Sequence, residues 1–173
     1  MKILVLQGSP RAEGHTAAMA KAFAQGAGEG GHDVTVIAVA QKKIGGCLGC
    51  GYCRKQGGVC VQKDDMEEVL EQYRAAEMVV LASPIYCFGI TGQLQCALNR
   101  TYALGRVEHI KKMALFLSSG RPDAYAGAIA QYRDVCAYLG AADEGIFTAW
   151  GKENSSPELL QRLTAFGRDL VKT

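Results

Sequence analysis

Four of the seven cysteines in this chain fall within fourteen residues, at Cys47, Cys50, Cys53 and Cys60, in the stretch GGCLGCGYCRKQGGVC (45–60). The spacing C-x2-C-x2-C-x6-C lets three successive thiols wrap one face of a small site while a fourth closes it, as an iron–sulfur cubane requires. Gly45, Gly46, Gly49, Gly51, Gly57 and Gly58 permit the tight left-handed turns that such wrapping needs. Zinc more often takes two separated C-x2-C knuckles or mixed Cys and His ligands. Here the pairs overlap and no histidine is near. A redox disulfide would employ two of the thiols and leave two without a role. A 4Fe-4S cluster is the best match, with free packing thiols and zinc remaining open.

Two further stretches carry groups suited to a single ligand. GSPRAEGHT (8–16) places Gly8, Ser9, Gly14 and Thr16 where a strand passes into a helix, and Arg11 and His15 add donors. Small residues, hydroxyls and the free N–H groups of a helix start suit a phosphate. The stretch meets neither GxxxxGK[ST] nor GxGxxG, and no C-x5-R phosphatase loop is present. SPIYCFGI (83–90) offers Pro84, Tyr86 and Phe88 as an apolar, aromatic surface, with Gly89 for a turn. A phosphate at the first and a flat ring at the second describe a mononucleotide with a large aromatic ring. Flavin mononucleotide (FMN) fits, because its phosphate is terminal.

These loops need a scaffold, and the hydrophobic pattern supplies one. Strands are expected at 2–7, 33–39, 77–82, 112–118 and 144–149. Helices are expected at 15–28, with Gly26 and Gly28 near its stop, at 65–75 capped by Asp64 or Asp65, at 91–104, at 123–139, and from Ser156-Pro157-Glu158 onward. Strands that are almost wholly apolar and alternate with helices imply a parallel sheet covered on both faces. Five such units in 173 residues fit one α/β domain, a doubly wound five-stranded sheet of flavodoxin-like order 2-1-3-4-5. The cysteine-rich segment 45–63 is an insertion in that domain. Ligands of such sheets sit at the carboxyl ends of the strands, near the switch between strands 1 and 3. The phosphate loop, the ring loop and the SSGRPD segment (118–123) meet there, and the cysteine loop, leaving strand 2, is expected at the same edge.

Composition narrows the class. With 49% hydrophobic and 21% charged residues the chain can build a core without disulfides. A formal net charge of +2 is too small to argue for nucleic acid. No apolar run is long enough to span a membrane, and the start MKILVLQGSP reads as a strand rather than a signal peptide. A cytoplasmic location is expected, where thiols stay reduced. Cys96 and Cys136 read as core residues, Cys87 as a small packing residue, His32 and His109 as solvated loop residues, and Trp150 as a cover for the core or a subunit interface.

GSPR…G-x-T, the C-x2-C-x2-C…G-x-C loop running into KDDM (63–66), and SPIY…QL…NR (83–100) occur in this order over residues 1–120. As a set they resemble the flavodoxin-like NAD(P)H-dependent FMN reductases, and within them the iron–sulfur flavoproteins. The resemblance implies bound FMN, NAD(P)H as co-substrate, and a homodimer or homotetramer. It implies that Ser9, Arg11, His15 and Thr16, with Gly14, hold the FMN phosphate. Pro84, Ile85, Tyr86, Cys87, Phe88 and Gly89 flank the ribityl chain and ring, and Ser119 and Gly120 close the ring's other edge. Cys47, Cys50, Cys53 and Cys60 match the family's cluster ligands. His15 stands where the family usually has Asn, Gln95 where Lys is common, and Asn99 where Asp precedes the Arg. The expected function is an FMN-dependent oxidoreductase passing electrons from NAD(P)H, or from a one-electron donor through the cluster, to a quinone, flavin or oxygen. The flavin carries the chemistry, so no catalytic side chain is named. The alternatives are a non-enzymatic electron-transfer or redox-sensing module served by a ferredoxin-like partner, and a zinc-stabilised binding domain.

Overall fold

Along β1 (Lys2–Gln7), successive side chains turn to opposite faces of the sheet, and both faces are buried. Ile3 and Val5 enter one core while Leu4 and Leu6 enter the other. The same division runs through β3 (Met78–Pro84) and β4 (Lys112–Ser119), where Val79, Leu81, Met113, Leu115 and Leu117 face one way and Met78, Val80, Ala114 and Phe116 the other. Period-two alternation is invisible in such strands because each face needs apolar residues. In this computed structural model, which describes residues 1–171, these strands and β2 (Asp33–Ala38) and β5 (Ala142–Trp150) form one parallel sheet of order β2-β1-β3-β4-β5.

Helices α1 (His15–Glu29) and α6 (Pro157–Arg168) cover one face, and α3 (Met66–Ala75), α4 (Gly92–Arg100) and α5 (Ala126–Leu139) the other. The short α2 (Tyr52–Lys55) lies within the cysteine loop. Among the described residues no helix is long and apolar enough to cross a membrane.

Several local expectations are corrected. Gly26 does not stop α1, which runs on to Glu29. A Cβ built at Gly26 would come within 1.9 Å of the Thr164 carbonyl oxygen, and one at Gly167 within 2.4 Å of the Phe23 carbonyl oxygen. These glycines let α1 and α6 pack backbone to backbone. The segment 91–104 is α-helical only to Arg100. It ends in a 3₁₀ turn at Thr101–Leu104, before Gly105 in the left-handed region at φ 64°. Asp65 occupies the cap position of α3, but its carboxylate accepts from the Lys43 N–H at 2.7 Å instead; Asp64 accepts from Met66 N–H at 3.2 Å. Ser156 does cap α6, accepting from Leu159 N–H at 3.1 Å, with Pro157 in the first turn. His32 is buried, not solvated, with Nε2 3.1 Å from the Leu170 carbonyl. Cys136 is buried as expected, and burial pushes its thiol up; Cys96 is only partly covered, and Cys87 stands exposed.

Candidate functional site

The parallel strands direct their carboxyl ends, Gln7, Pro84, Ser119 and Trp150, to one edge of the sheet, and the loops beyond them form the site. The first is anchored from below. Gly8 donates its N–H to the Ala82 carbonyl at 2.8 Å and accepts from the Thr91 hydroxyl at 2.8 Å. A Cβ at Gly8 would fall 2.7 Å from Leu94 Cβ, so glycine is what lets α4 approach β1 this closely. Ser9 is buried, and its Oγ accepts from Arg11 N–H at 3.2 Å, curling the loop before α1. No side chain caps the start of α1 at Gly14, so its first N–H groups have no side-chain acceptor there. The Arg11 guanidinium is exposed and has no hydrogen-bond or ion-pair partner among the described residues. The Thr16 hydroxyl sits 2.8 Å from that of Ser118, joining this loop to the end of β4.

The ring loop folds back on itself. Ile85 N–H reaches the Ser118 carbonyl at 2.8 Å, and Tyr86 and Gly89 exchange backbone bonds of 3.0 and 3.1 Å. Between them Cys87 (φ 50°) and Phe88 (φ 65°) adopt left-handed conformations that non-glycine residues enter at a cost. Beyond β4, Ser119 Oγ accepts from Arg121 N–H at 3.1 Å and lies 2.9 Å from the Tyr125 hydroxyl. Burial raises the Tyr125 phenol, so it is a neutral donor to the Ala149 carbonyl at 2.7 Å.

Ser9, Arg11, Gly14, His15 and Thr16 together with Pro84, Ile85, Tyr86, Ser119 and Gly120 line one cavity of about 530 Å³. Cys87, Phe88 and Gly89 do not line it; Cys87 and Phe88 are exposed and Gly89 is partly covered. Glu13 and Ser118, from the expected loops but not named as site residues, also line it, as do Gly151 and Asn154, which were not expected. Glu13 was legible beside Arg11. Gly151 and Asn154 follow β5, a strand end that the switch-point argument does not single out. Asn154 donates both N–H groups to the Ser119 and Gly151 carbonyls, at 2.8 and 3.1 Å, which fixes its Oδ1 as a buried acceptor with no partner.

The largest described cavity, about 680 Å³, lies elsewhere, between the cysteine loop (Cys47, Gly49, Gly51, Arg54) and α5 (Gln131, Val135, Tyr138). It lacks the glycine- and hydroxyl-rich helix start, so the ligand argument rests on the smaller cavity, which is within the usual range for a small-molecule site.

The cysteine loop departs from expectation. It leaves the carboxyl edge: Cys53, Gly57 and Gly58 share a cavity with Arg74, in the last turn of α3, and with Glu108 and His109, which precede β4. Arg54 packs over the Tyr102 ring at 5.1 Å and fixes that course. None of Cys47, Cys50, Cys53 and Cys60 lines the 530 Å³ cavity. The donor set suits a thiolate-held metal, but among the described residues no three His, Cys, Asp or Glu side chains gather in a group that could hold one. The physical reason is local. Cys53 is committed to α2, Cys47 lines the 680 Å³ cavity and accepts from Gly49 N–H at 3.5 Å, and Cys50 is exposed between left-handed Gly49 and Gly51. Gln95 and Asn99, where Lys and Asp were expected, bond each other at 2.7 Å.

At the neck of the loop, buried Arg100 grips Asp64 with two bonds of 2.9 and 3.0 Å. Burial alone would push the Asp64 carboxyl up. The Arg100 bonds, the Gly45 and Met66 N–H groups and the guanidinium charge outweigh it and hold the carboxyl below its ordinary 3.8. A lowered folded-state value means that the pair's contribution is complete above the unfolded value and lost as pH falls through the folded one. The urea midpoint is therefore expected to stay level from about pH 7 to 5 and to fall below about pH 4. Asp64→Asn should remove that part of the acid dependence and cost about 2 kcal/mol at neutral pH, by leaving Arg100 buried without its counter-charge.

A doubly wound parallel sheet of this order, with the loops after β1, β3 and β4 around one cavity at its switch point, is the flavodoxin-like architecture. The chain belongs to the NADPH-dependent FMN reductase family, whose sequence model matches residues 1–152. An iron-sulfur flavoprotein of Archaeoglobus fulgidus is 32% identical over 132 residues, covering 73% of this chain and 60% of that protein. One from Methanocaldococcus jannaschii is 39% identical over 104 residues, covering 60% of this chain and 52% of its own length. The chain thus spans about half to three-fifths of the length of these relatives. Among solved structures, the NAD(P)H:quinone oxidoreductase of Methanothermobacter marburgensis superposes with a TM-score of 0.71 at 20% identity, over 100% of this chain and 97% of its own. An FMN-dependent NADH-azoreductase of Bacillus anthracis in complex with FMN gives 0.69 at 16% identity, over 95% and 93%. At these identities the likeness concerns the fold.

Proposed function

We propose that this chain binds FMN in the 530 Å³ cavity and works as an oxidoreductase that takes electrons from NAD(P)H and passes them to a small acceptor such as a quinone, a flavin or oxygen. The observation that carries the reading is one cavity with two unlike ends at the strand switch. The α1 start with Ser9, Arg11, His15 and Thr16 suits the phosphate. Pro84, Ile85 and Tyr86, facing Ser119 and Gly120, suit the ring and the ribityl chain. The orphaned Asn154 Oδ1 needs a donor, which a ribityl hydroxyl has and a phosphate dianion lacks. FMN, when bound, supplies hydride acceptance from a nicotinamide and electron delivery onward. The chain's part is to hold the phosphate, fix the ring between two loops and leave one face open: Tyr86 and Phe88 remain exposed beside the cavity. That open aromatic rim suits burial against a second copy, in a homodimer or homotetramer.

The cysteine loop favours a second component, a 4Fe-4S cluster serving one-electron partners of the ferredoxin type. Its support is the fourfold thiol spacing and the naming of the curated relatives. The present loop conformation does not gather the ligands, so no electron path is drawn through it. One titration tests the main reading: FMN added to the purified protein should bind at about one per chain, and NADPH should bleach it anaerobically until a quinone restores the colour. Tight FMN binding without reduction by NADPH, but with reduction by a ferredoxin, would favour the electron-transfer module instead.

A further inference from the structure

We propose that the cleft between the cysteine loop and α5 binds an adenine nucleotide. The base lies in the 680 Å³ cavity, read by a chain of amides from Gln131, Gln95 and Asn99. The phosphates lie in an adjoining cavity, held by Arg54, Arg74 and Arg106. The inference goes beyond the flavin reading and does not rest on it.

The 680 Å³ cavity and a second of about 590 Å³ share Arg54, Tyr102, Gly105 and Tyr138 as a common wall. Neither shares a residue with the 530 Å³ cavity. Their linings differ as the two ends of a nucleotide differ. The larger sets Tyr73, Leu98, Val135 and Leu139 beside neutral amides and holds no Asp or Glu. The smaller sets Arg54, Arg74 and Arg106 against one carboxylate, Glu108. Among the described residues no ion pair engages any of these three guanidiniums. Arg106 is fixed in advance. Its Nε donates to the Leu139 carbonyl at 3.3 Å, and its Nη2 fills the space beside Gly140, 2.6 Å from where a Cβ would stand. Planar cationic forks of this kind suit phosphate oxygens. Tyr102 and Tyr138, 47% and 58% exposed, lie where the cavities meet and offer rings on which a base can stack.

A second observation points to the base. Gln131 Nε2 donates to Gln95 Oε1 at 2.8 Å, and Gln95 Nε2 donates to Asn99 Oδ1 at 2.7 Å. The chain leaves the Gln131 Oε1 acceptor and the Asn99 Nδ2 donor without a protein partner among the described residues, and both residues line the 680 Å³ cavity. Run in the opposite sense, the same three amides exchange the roles of the two ends and still present one acceptor and one donor. Adenine offers N6–H₂ beside N7, one donor and one acceptor, whereas guanine offers two acceptors, N7 and O6, on that edge. A 5′-diphosphate on the adenosine then meets the arginines of the adjoining cavity.

The test uses the full chain and ADP. In equilibrium dialysis at low salt ADP is expected to bind at about one per chain, with GDP and pyrophosphate each about tenfold weaker or more. Arg54→Gln and Arg74→Gln, at exposed positions, should each weaken ADP about tenfold. Asn99→Ala should weaken ADP about tenfold and leave pyrophosphate unchanged. Arg11→Glu, in the 530 Å³ cavity, should leave ADP unchanged, and Arg74→Gln and Asn99→Ala should leave the FMN titration unchanged. The wild type gives an arm that needs no variant. Saturating ADP should slow alkylation of Cys47 and Cys53, which line the two cavities, by about tenfold, while exposed Cys87 labels as before. No ADP uptake, or uptake lost in Arg11→Glu and kept in Arg74→Gln, would overturn the site. GDP or pyrophosphate bound as tightly as ADP would overturn the adenine assignment. A chain that takes up FMN but no ADP would sink this inference and leave the flavin reading standing; one that takes up ADP but no FMN would do the reverse.

Discussion

Gly26→Ala is expected to lower stability by about 4 kcal/mol, read as a fall of about 2 M in the urea midpoint. Two effects compete, and their sizes decide the sign. Alanine in a helix interior gains up to about 1 kcal/mol over glycine from backbone entropy. Against this, the new methyl would sit 1.9 Å from the Thr164 carbonyl oxygen, where ordinary contact begins near 3.4 Å. The obstacle is backbone, which cannot rotate aside, so α6 must withdraw from α1. That withdrawal loosens the core formed by Phe23, Leu159 and Leu163, all buried against the same sheet face, and parts Phe23 from Phe166, whose rings lie 5.6 Å apart. Gly28→Ala provides the matched control. It lies two residues further along, about 200° around the helix, with nothing within 4 Å of its added Cβ, and should stabilise by about 0.5–1 kcal/mol.

Arg11→Glu is expected to weaken FMN binding by about a hundredfold or more in a fluorescence titration at low salt, and to leave riboflavin within about threefold of the wild type. Arg11 is the cationic side chain in the cavity lining whose charge is permanent, and nothing among the described residues holds it elsewhere. Its loss removes a charge-assisted bond, and the new carboxylate adds repulsion beside Glu13. The contrast between the two flavins carries the argument, because they differ only in the phosphate. Equal weakening of both would move the phosphate away from the first loop. Because Arg11 is exposed, added salt should narrow the gap.

The parts that sequence reveals best are those fixed by local pattern. Parallel strands buried on both faces must be continuously apolar, as in KILVLQ and MVVLAS, and their alternation with helices leaves few sheet topologies. The switch-point rule then identifies the loops after β1, β3 and β4 without any side-chain detail. What escapes is set by contacts between distant residues. Thr16 and Ser118 touch across 102 positions, and Asp64 and Arg100 across 36. No spacing announces either pair, and Arg100 entered the sequence reading only as the last residue of the SPIY…QL…NR motif. Gly26 and Gly28 look alike in sequence, yet one is a helix contact and the other is not; only the position of α6 separates them. The cysteine loop is tied down by contacts such as Arg54 over Tyr102 and Arg100 with Asp64, so its departure from the switch-point cavity could not be read from the cysteines themselves.

The central claim is that the 530 Å³ cavity at the ends of β1, β3 and β4 is a flavin site. Its most direct test is the visible absorbance of the purified chain after incubation with FMN and gel filtration, followed by anaerobic addition of NADPH. The account predicts a retained flavin band corresponding to about one FMN per chain, bleached by NADPH and lost in Arg11→Glu. A chain that emerges colourless and leaves the fluorescence of added FMN unchanged would contradict it.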